Sequence, residues 1–339
     1  MPPFKSIIPI FARSVADRVS PQPAVTAPLT MTTRIYFLGS GPFAVPVLQH
    51  LLKSDKVEIV KIITQVDKPA GRKKILTPTP VGIWCDANDI VCERVKSVNK
   101  AEFHEQAQKD AVDMFVVVSF GQLLKEPTLA LPKLCCMNVH ASLLPAYRGA
   151  SPIISAILAG EEKTGVTFML MDKGLDTGDI LEMWEMPIDE NITGEDLEYA
   201  LADYAGSHLA DCIEKVASGV LKGVPQDHSK ATHTCKIRKS DGAILWQSTA
   251  EEILRKVRAF HLWPTAFFTF APQEGARKML VKLTGAVKET FEDPLPPPGT
   301  ITGVDKKGIL VACGNGVIRL TKLIPEGKKE MASADFARG

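Results

Sequence analysis

Apolar residues along this chain follow two rhythms, and the change from one to the other marks its domain organisation. From residue 34 to about residue 219, short apolar runs with little alternation succeed one another. They cover residues 34–38, the run VEIVKIITQ ending at Gln65, 91–95, VDMFVVVSFGQLL, LPKLCCMNVH ending at His140, 166–171 and 180–186. Runs of this length suit strands of a parallel sheet covered on both faces. Between them lie segments of helical period: after Gly39-Ser40-Gly41, at 81–87, at 100–109, after Ser151-Pro152, and a long one from Thr193 to Gly219. Strand and helix in turn predict an α/β fold with a mostly parallel sheet. Beyond residue 240 a helix at 253–260 precedes β-rich runs separated by Gly and Asp turns. That spacing predicts a small antiparallel β-barrel of OB-like size. The polar, basic stretch between reads as a linker with solvated His228 and His233. The expected domains are therefore 31–220 and 241–339, joined by 221–240.

The stretch from Met137 to Ile153 is where chemistry concentrates. Asn138 and His140 stand two residues apart on a strand, which points both to one face. Ser142, Leu143, Leu144 and Pro145 follow without helix or strand period, and Tyr147–Ala150 reads as a turn. Ser151 then suits an N-cap, with Pro152 at the first helical position. Taken alone, His140 reads as a strand-end histidine and Asn138 as a turn former. A second cluster changes that picture: the loop between the runs at 166–171 and 180–186 carries Asp172, Asp176 and Asp179 among Gly174 and Gly178. An Asn, a His and an Asp gathered at strand ends can polarise a carbonyl and move a proton.

The runs NVHASLLPAYRGASPI and TGVTFMLMDKGLDTGDI, at this separation, strongly resemble the folate-dependent formyltransferases, over a span from about Arg34 to the C-terminus. The resemblance implies a Rossmann-like formyltransferase domain and catalytic roles for Asn138, His140 and Asp176. It implies a folate site at Ser142, Leu143, Leu144 and Pro145, with 10-formyltetrahydrofolate as co-substrate and tetrahydrofolate as product. The loop DKPAGRKKILTPTP, with Lys68, Arg72, Lys73 and Lys74, resembles the basic insertion of the branch that formylates methionyl-tRNA for translation initiation, and implies contact with that RNA. Lys68 stands where arginine is common, which keeps charge but not bidentate geometry. A RAFxxWP-type run at 258–264 and a GKKEM segment resemble the same branch. Relatives acting on a small amine or hydrolysing formyl-folate remain alternatives, as does a decayed nucleic-acid-binding module.

Gly39-x-Gly41-x-x-Ala44 superficially fits a dinucleotide fingerprint, which would suggest a nicotinamide dehydrogenase. That fingerprint needs an acid near the end of the second strand. Gln65 stands there instead, so the glycines read as a tight first turn.

The formal net charge of +1 hides an asymmetry: 19 Lys+Arg face 12 Asp+Glu from Lys222 onward, and 21 face 27 before it. A basic second half suits a polyanionic partner, with Lys306, Lys307, Lys328 and Lys329 as candidate phosphate contacts. Seven scattered cysteines without a CxxC pair predict neither zinc site nor disulfide framework, and no metal is expected. No apolar run approaches membrane-spanning length, and a monomer is expected. Residues 1–30 carry Lys5, Arg13 and Arg18 against Asp17, several Ser and Pro, and a short amphipathic patch. This is the make-up of an organelle-targeting peptide. Mitochondrion is the expectation, with plastid, or a cytoplasmic product starting at Met31, as alternatives.

Overall fold

The computed structural model describes residues 32–71, 73–271, 277–291 and 294–338. The expected targeting segment and Arg72 lie outside the described residues. In chain order the elements are β1 (Thr33–Gly39), α1 (Ala44–Leu51), β2 (Val57–Gln65), the hairpin β3 (Lys68–Ala70) and β4 (Ile75–Thr77), α2 (Pro80–Ala87), β5 (Glu93–Val95), α3 (Ala101–Asp110), β6 (Met114–Val118), α4 (Glu126–Leu129), β7 (Cys135–His140), β8 (Arg148–Gly149), α5 (Pro152–Ala159), β9 (Lys163–Leu170), β10 (Ile180–Pro187) and α6 (Gly194–Ala217). There follow β11 (His233–Thr234), α7 (Ala250–Ala259), β12 (Ala266–Phe270), β13 (Met279–Glu289), β14 (Ile301–Asp305), β15 (Gly308–Cys313), β16 (Gly316–Pro325), β17 (Met331–Ala332) and α8 (Ser333–Arg338).

Seven strands form the first sheet in the order β10-β9-β7-β6-β1-β2-β5. β5, β2, β1, β6 and β7 run parallel, and β9 and β10 continue the sheet antiparallel. From β1 the chain winds outward through β2 to β5, then crosses back to β6 on the other side of β1. The exits of β1 and β6 therefore diverge, and in open α/β sheets ligands bind at such a switch point. Two apolar layers cover the sheet. One packs α1, α2, α5 and α6 around Phe37, Val116, Met137 and Phe168; the other gathers Tyr36, Phe103, Phe115 and Phe120 beneath α3. β6 is buried at every position, as its unbroken apolar run predicts.

The run after Val118 does not continue as strand. Ser119 takes a left-handed φ of 44° and Gly121 one of 74°, turning the chain along the top of the sheet. Gly41 donates its N–H to the Ser119 carbonyl at 2.9 Å, and a Cβ there would lie 2.2 Å from the Ser119 hydroxyl. The glycine fingerprint thus permits one strand exit to approach another. Gln65, where a nucleotide site would place its acid, donates to the Phe120 carbonyl at 2.5 Å and braces the same turn.

The C-terminal part is an antiparallel sheet, β12-β13-β16-β15-β14 with β17 on β16, around a third core that includes Ile253, Leu283 and Ile318. The hydrogen-bonded path ends on β12 and β14. α7 begins at a reciprocal cap between Thr249 and Glu252, three residues before the expected start. All seven cysteines are free thiols. The expected linker is the main departure. β11 pairs with β8 in a two-stranded sheet of its own, and Val224 bridges Ile180 of β10, so the stretch is tied to the catalytic part at both points. Backbone pairing, which polar composition conceals, holds it there.

Candidate active site

β7 carries Asn138 and His140 to the exit end of the sheet, opposite Met169 and Thr167 of β9. Both line a cavity of about 610 Å³ above β6 and β7, and Asp176 reaches the same cavity from the β9–β10 loop. The expected trio therefore meets. Volume and mixed lining fall in the range of small-molecule sites.

The histidine's protonation geometry follows from its partners. His140 Nε2 lies 3.1 Å from the Tyr147 carbonyl oxygen. A carbonyl can only accept, so the neutral ring carries its proton on Nε2. Nδ1 then holds the lone pair, 3.6 Å from Asp176 Oδ2. That separation is an ion-pair distance for an imidazolium rather than a hydrogen bond. The carboxylate itself accepts from the Gly149 N–H at 2.7 Å. The Asn138 side chain makes no hydrogen bond among the described residues, which leaves its amide free at the cavity wall.

Tyr147 and Asp176, the two residues that touch the imidazole, both adopt left-handed backbone, at φ 60° and 54°. Such conformations persist when surrounding bonds over-determine them. The Tyr147 hydroxyl donates to Glu161 at 2.5 Å, and its N–H donates to the Thr232 hydroxyl at 2.7 Å. Burial, reinforced by Glu161, pushes that phenol above its usual range, so it stays a donor. Across the site, Asp172 closes its loop by accepting from the Gly174 N–H at 2.9 Å and the Thr177 hydroxyl at 2.7 Å. Gly178 presses on the Leu170 carbonyl, where a Cβ would stand only 1.9 Å away.

One buried glutamine ties the two halves together. Gln226 Nε2 donates to the carbonyls of Asp176, at 3.0 Å, and Gly178, at 2.7 Å. Its Oε1 accepts from Arg148 Nη2 at 2.5 Å and Nε at 3.2 Å. Arg148 is only 3% exposed and also donates to His228 Nδ1 at 3.0 Å. Sequence reasoning missed Arg148, Gln226, Thr232 and Thr234. His228 corrects the expectation of a merely solvated side chain; it is exposed but bonded. No local pattern distinguishes a buried arginine in a turn, and the only available cue was its place beside the Asn-x-His strand.

Ser142, Leu143, Leu144 and Pro145 are not among the residues lining this cavity. Thr167 clamps that segment to β9: its hydroxyl donates to the Ser142 carbonyl at 2.6 Å and accepts from the Leu144 N–H at 3.1 Å. Leu144 is buried, and Leu143 lies over Gly165. Apolar lining comes instead from Phe43, Phe120, Leu124, Ile153, Met169 and Met171. Lys68, Lys73 and Lys74 are exposed on the β3–β4 hairpin with Ile75 and Leu76.

The formyl transferase family model matches residues 33–213, and the model of its C-terminal domain matches residues 236–339. A methionyl-tRNA formyltransferase of Geobacillus thermodenitrificans is 39% identical over 308 residues, covering 91% of this chain and 94% of the relative. One from Bacillus cytotoxicus is 38% identical over 309 residues, covering 90% and 95%. Among solved structures, WlaRD, a sugar 3N-formyl transferase, superposes with a TM-score of 0.60 at 21% identity, over 88% of this chain and 99% of that one. HypX from Aquifex aeolicus in complex with tetrahydrofolic acid gives 0.58 at 16% identity, over 90% of this chain and 47% of its own. The chain belongs to the formyl transferase family and, within it, to the methionyl-tRNA formyltransferases.

Proposed function

We propose that this chain transfers the formyl group of 10-formyltetrahydrofolate to the α-amine of methionyl-tRNA. The observation that carries the reading is the convergence of Asn138, His140 and Asp176 on one cavity at the strand exits. The amine nitrogen attacks the formyl carbon, so no protein nucleophile is required. Negative charge develops on the formyl oxygen, and the free Asn138 amide donates to it. His140 Nδ1 takes the proton released by the amine, and Asp176 lies where the resulting imidazolium needs a counter-charge. Collapse breaks the bond from the formyl carbon to folate N10 as the His140 imidazolium returns its proton to that nitrogen, so tetrahydrofolate leaves as the neutral secondary amine and the imidazole is neutral again. Assigning Nδ1 to proton uptake leaves the oxyanion mainly to Asn138, because His140 donates through Nδ1 only once it is charged.

Lys68, Arg72, Lys73 and Lys74 meet the phosphates of the RNA acceptor, and the basic part beyond Lys222 adds further contacts. The functional division is a catalytic part up to about residue 220 and an RNA-binding part beyond residue 241, working as a monomer. Residues 1–30 direct the chain to an organelle, the mitochondrion in preference to the plastid, on the strength of their basic, acid-poor composition. Uptake of a reporter carrying residues 1–30 by isolated mitochondria, and not by chloroplasts, is the expected result; uptake by neither ends that assignment.

The deciding assay offers formyl-labelled folate to methionyl-tRNA, uncharged tRNA and glycinamide ribonucleotide in parallel. Label should move only to the charged tRNA. Transfer to glycinamide ribonucleotide alone would overturn the substrate assignment.

A further inference from the structure

A second, smaller cavity of about 340 Å³ opens beside the catalytic one and shares Ser151, Ile154, Gly194 and Glu198 with it. Its outer wall comes from the segment after α7, with Leu262 63% and Trp263 59% exposed, and from Lys236. Trp184 and Trp246 pack edge-on against Phe168 and Phe268. Trp263 packs against no aromatic ring among the described residues. Glu195 on α6 stands 3.7 Å from His261 and joins the two walls at the rim.

Resting on the reading above, we propose that this groove seats the 3′-terminal adenosine of the charged RNA, its base stacked on the Trp263 indole and a flanking phosphate beside Lys236. Three observations carry it. Continuity comes first: an acceptor whose amine reaches Asn138, His140 and Asp176 must trail its ester-linked nucleoside out of the catalytic cavity, and this groove opens from that cavity. The chemistry of the wall comes second. An exposed indole beside a leucine offers a flat face that stacks on any base, and an adjacent ammonium suits a backbone phosphate. Third, the groove's volume suits one nucleoside rather than a folded RNA element. The formyl donor is then left the opposite end of the catalytic cavity, around Phe120 and Leu124.

The test compares wild type, Trp263→Ala and Trp263→Phe. Formylation of methionyl-tRNA by the wild type is measured first, and its absence would defeat the functional reading rather than the subsite. Given transfer, Trp263→Ala should lower kcat/KM for methionyl-tRNA by roughly 5- to 100-fold, and Trp263→Phe should recover most of the loss. Folate affinity should be the same in all three. Tryptophan fluorescence supplies a readout independent of turnover. Uncharged tRNA ending in CCA should quench wild type more than the same tRNA lacking its terminal adenosine, and Trp263→Phe should abolish that difference. Equal kcat/KM in wild type and Trp263→Ala, or equal quenching by the two tRNAs, overturns the subsite.

Discussion

His140 donates its Nε2–H to the carbonyl of Tyr147, 3.1 Å away, and so presents Nδ1 to Asp176. One backbone oxygen thereby decides which nitrogen is available to the substrate amine. Replacing His140 with Ala should reduce turnover by about 10²- to 10⁴-fold, the usual range for a positioned general base. Asn138→Ala should cost about 10²- to 10³-fold, as expected for one oxyanion donor. Equilibrium binding of tetrahydrofolate should survive both changes, because the apolar lining is contributed by other residues. Undiminished turnover in either variant would remove that side chain from the chemistry.

Asp176 raises a separate question, whether it acts by charge or by shape. Its Oδ2 accepts from Gly149 N–H at 2.7 Å, a bond that an asparagine oxygen can reproduce. Asparagine also tolerates the left-handed backbone found there. Asp176→Asn therefore keeps the loop and deletes the counter-charge. If the carboxylate balances a charged His140, kcat should fall nearly as far for Asn as for Ala, by about 10²-fold or more. A near-normal kcat in the Asn variant, beside a defective Ala variant, would make Asp176 a positioning residue only.

The hairpin lysines give a prediction in which ionic strength is the probe. Each phosphate contact that is lost should flatten the dependence of log binding on log salt by somewhat under one unit. Lys73→Ala and Lys74→Ala should each weaken methionyl-tRNA binding and reduce the slope, without altering folate affinity. An unchanged slope in the double variant would leave these exposed side chains as ordinary surface.

The sheet, its parallel core and the meeting of Asn138, His140 and Asp176 were legible because each rests on a local signal. An unbroken apolar run marked β6, alternation placed Asn138 and His140 on one face, and paired glycines marked the Asp176 loop. What could not be read depends on partners distant in sequence. Gln226 lies 78 residues from Arg148 and 50 from Asp176. Its polarity, read locally, argued for a solvated linker. Ser142–Pro145 shows another limit: its apolar step beside a catalytic histidine suggested a pocket wall, while the clamp that Thr167 makes on its backbone against β9 had no local signal. Apolarity alone does not say which side of a strand end a loop will cover.

Gln226 accordingly earns a direct test. Replacement by Ala strands the buried Arg148 guanidinium and frees the Asp176 and Gly178 carbonyls. Leaving such groups unpaired costs about 1–3 kcal/mol each, so a lower denaturation midpoint is expected. Because the same bonds fix the backbone of Asp176, kcat should fall while KM for the folate stays near normal. Gln226→Glu keeps an acceptor for Arg148 but sets a carboxylate against two carbonyls, so it should restore stability more than kcat. Equal recovery of both by Glu would show that Gln226 serves Arg148 alone.

Glu198, at the junction of the two cavities, sets up the pH prediction. Burial, with a smaller contribution from Glu195, raises its carboxyl above the usual carboxylate range, opposed by the Phe43 N–H. A raised acid binds its proton more tightly in the folded chain than in the unfolded one. Folding stability therefore falls as pH climbs from the ordinary carboxylate value through the raised one, and the penalty is complete above it. Glu198→Gln removes the ionisation while keeping the shape. Thermal unfolding should show the variant more stable than wild type at pH 7, with the advantage shrinking on acidification and gone well below the ordinary glutamate pKa of about 4.3, where the wild-type side chain is neutral in both folded and unfolded chains. A gain that does not vary with pH would point to packing. A loss at pH 7 would mean that the charged carboxylate is favourably held, and would contradict the burial that the junction imposes on it.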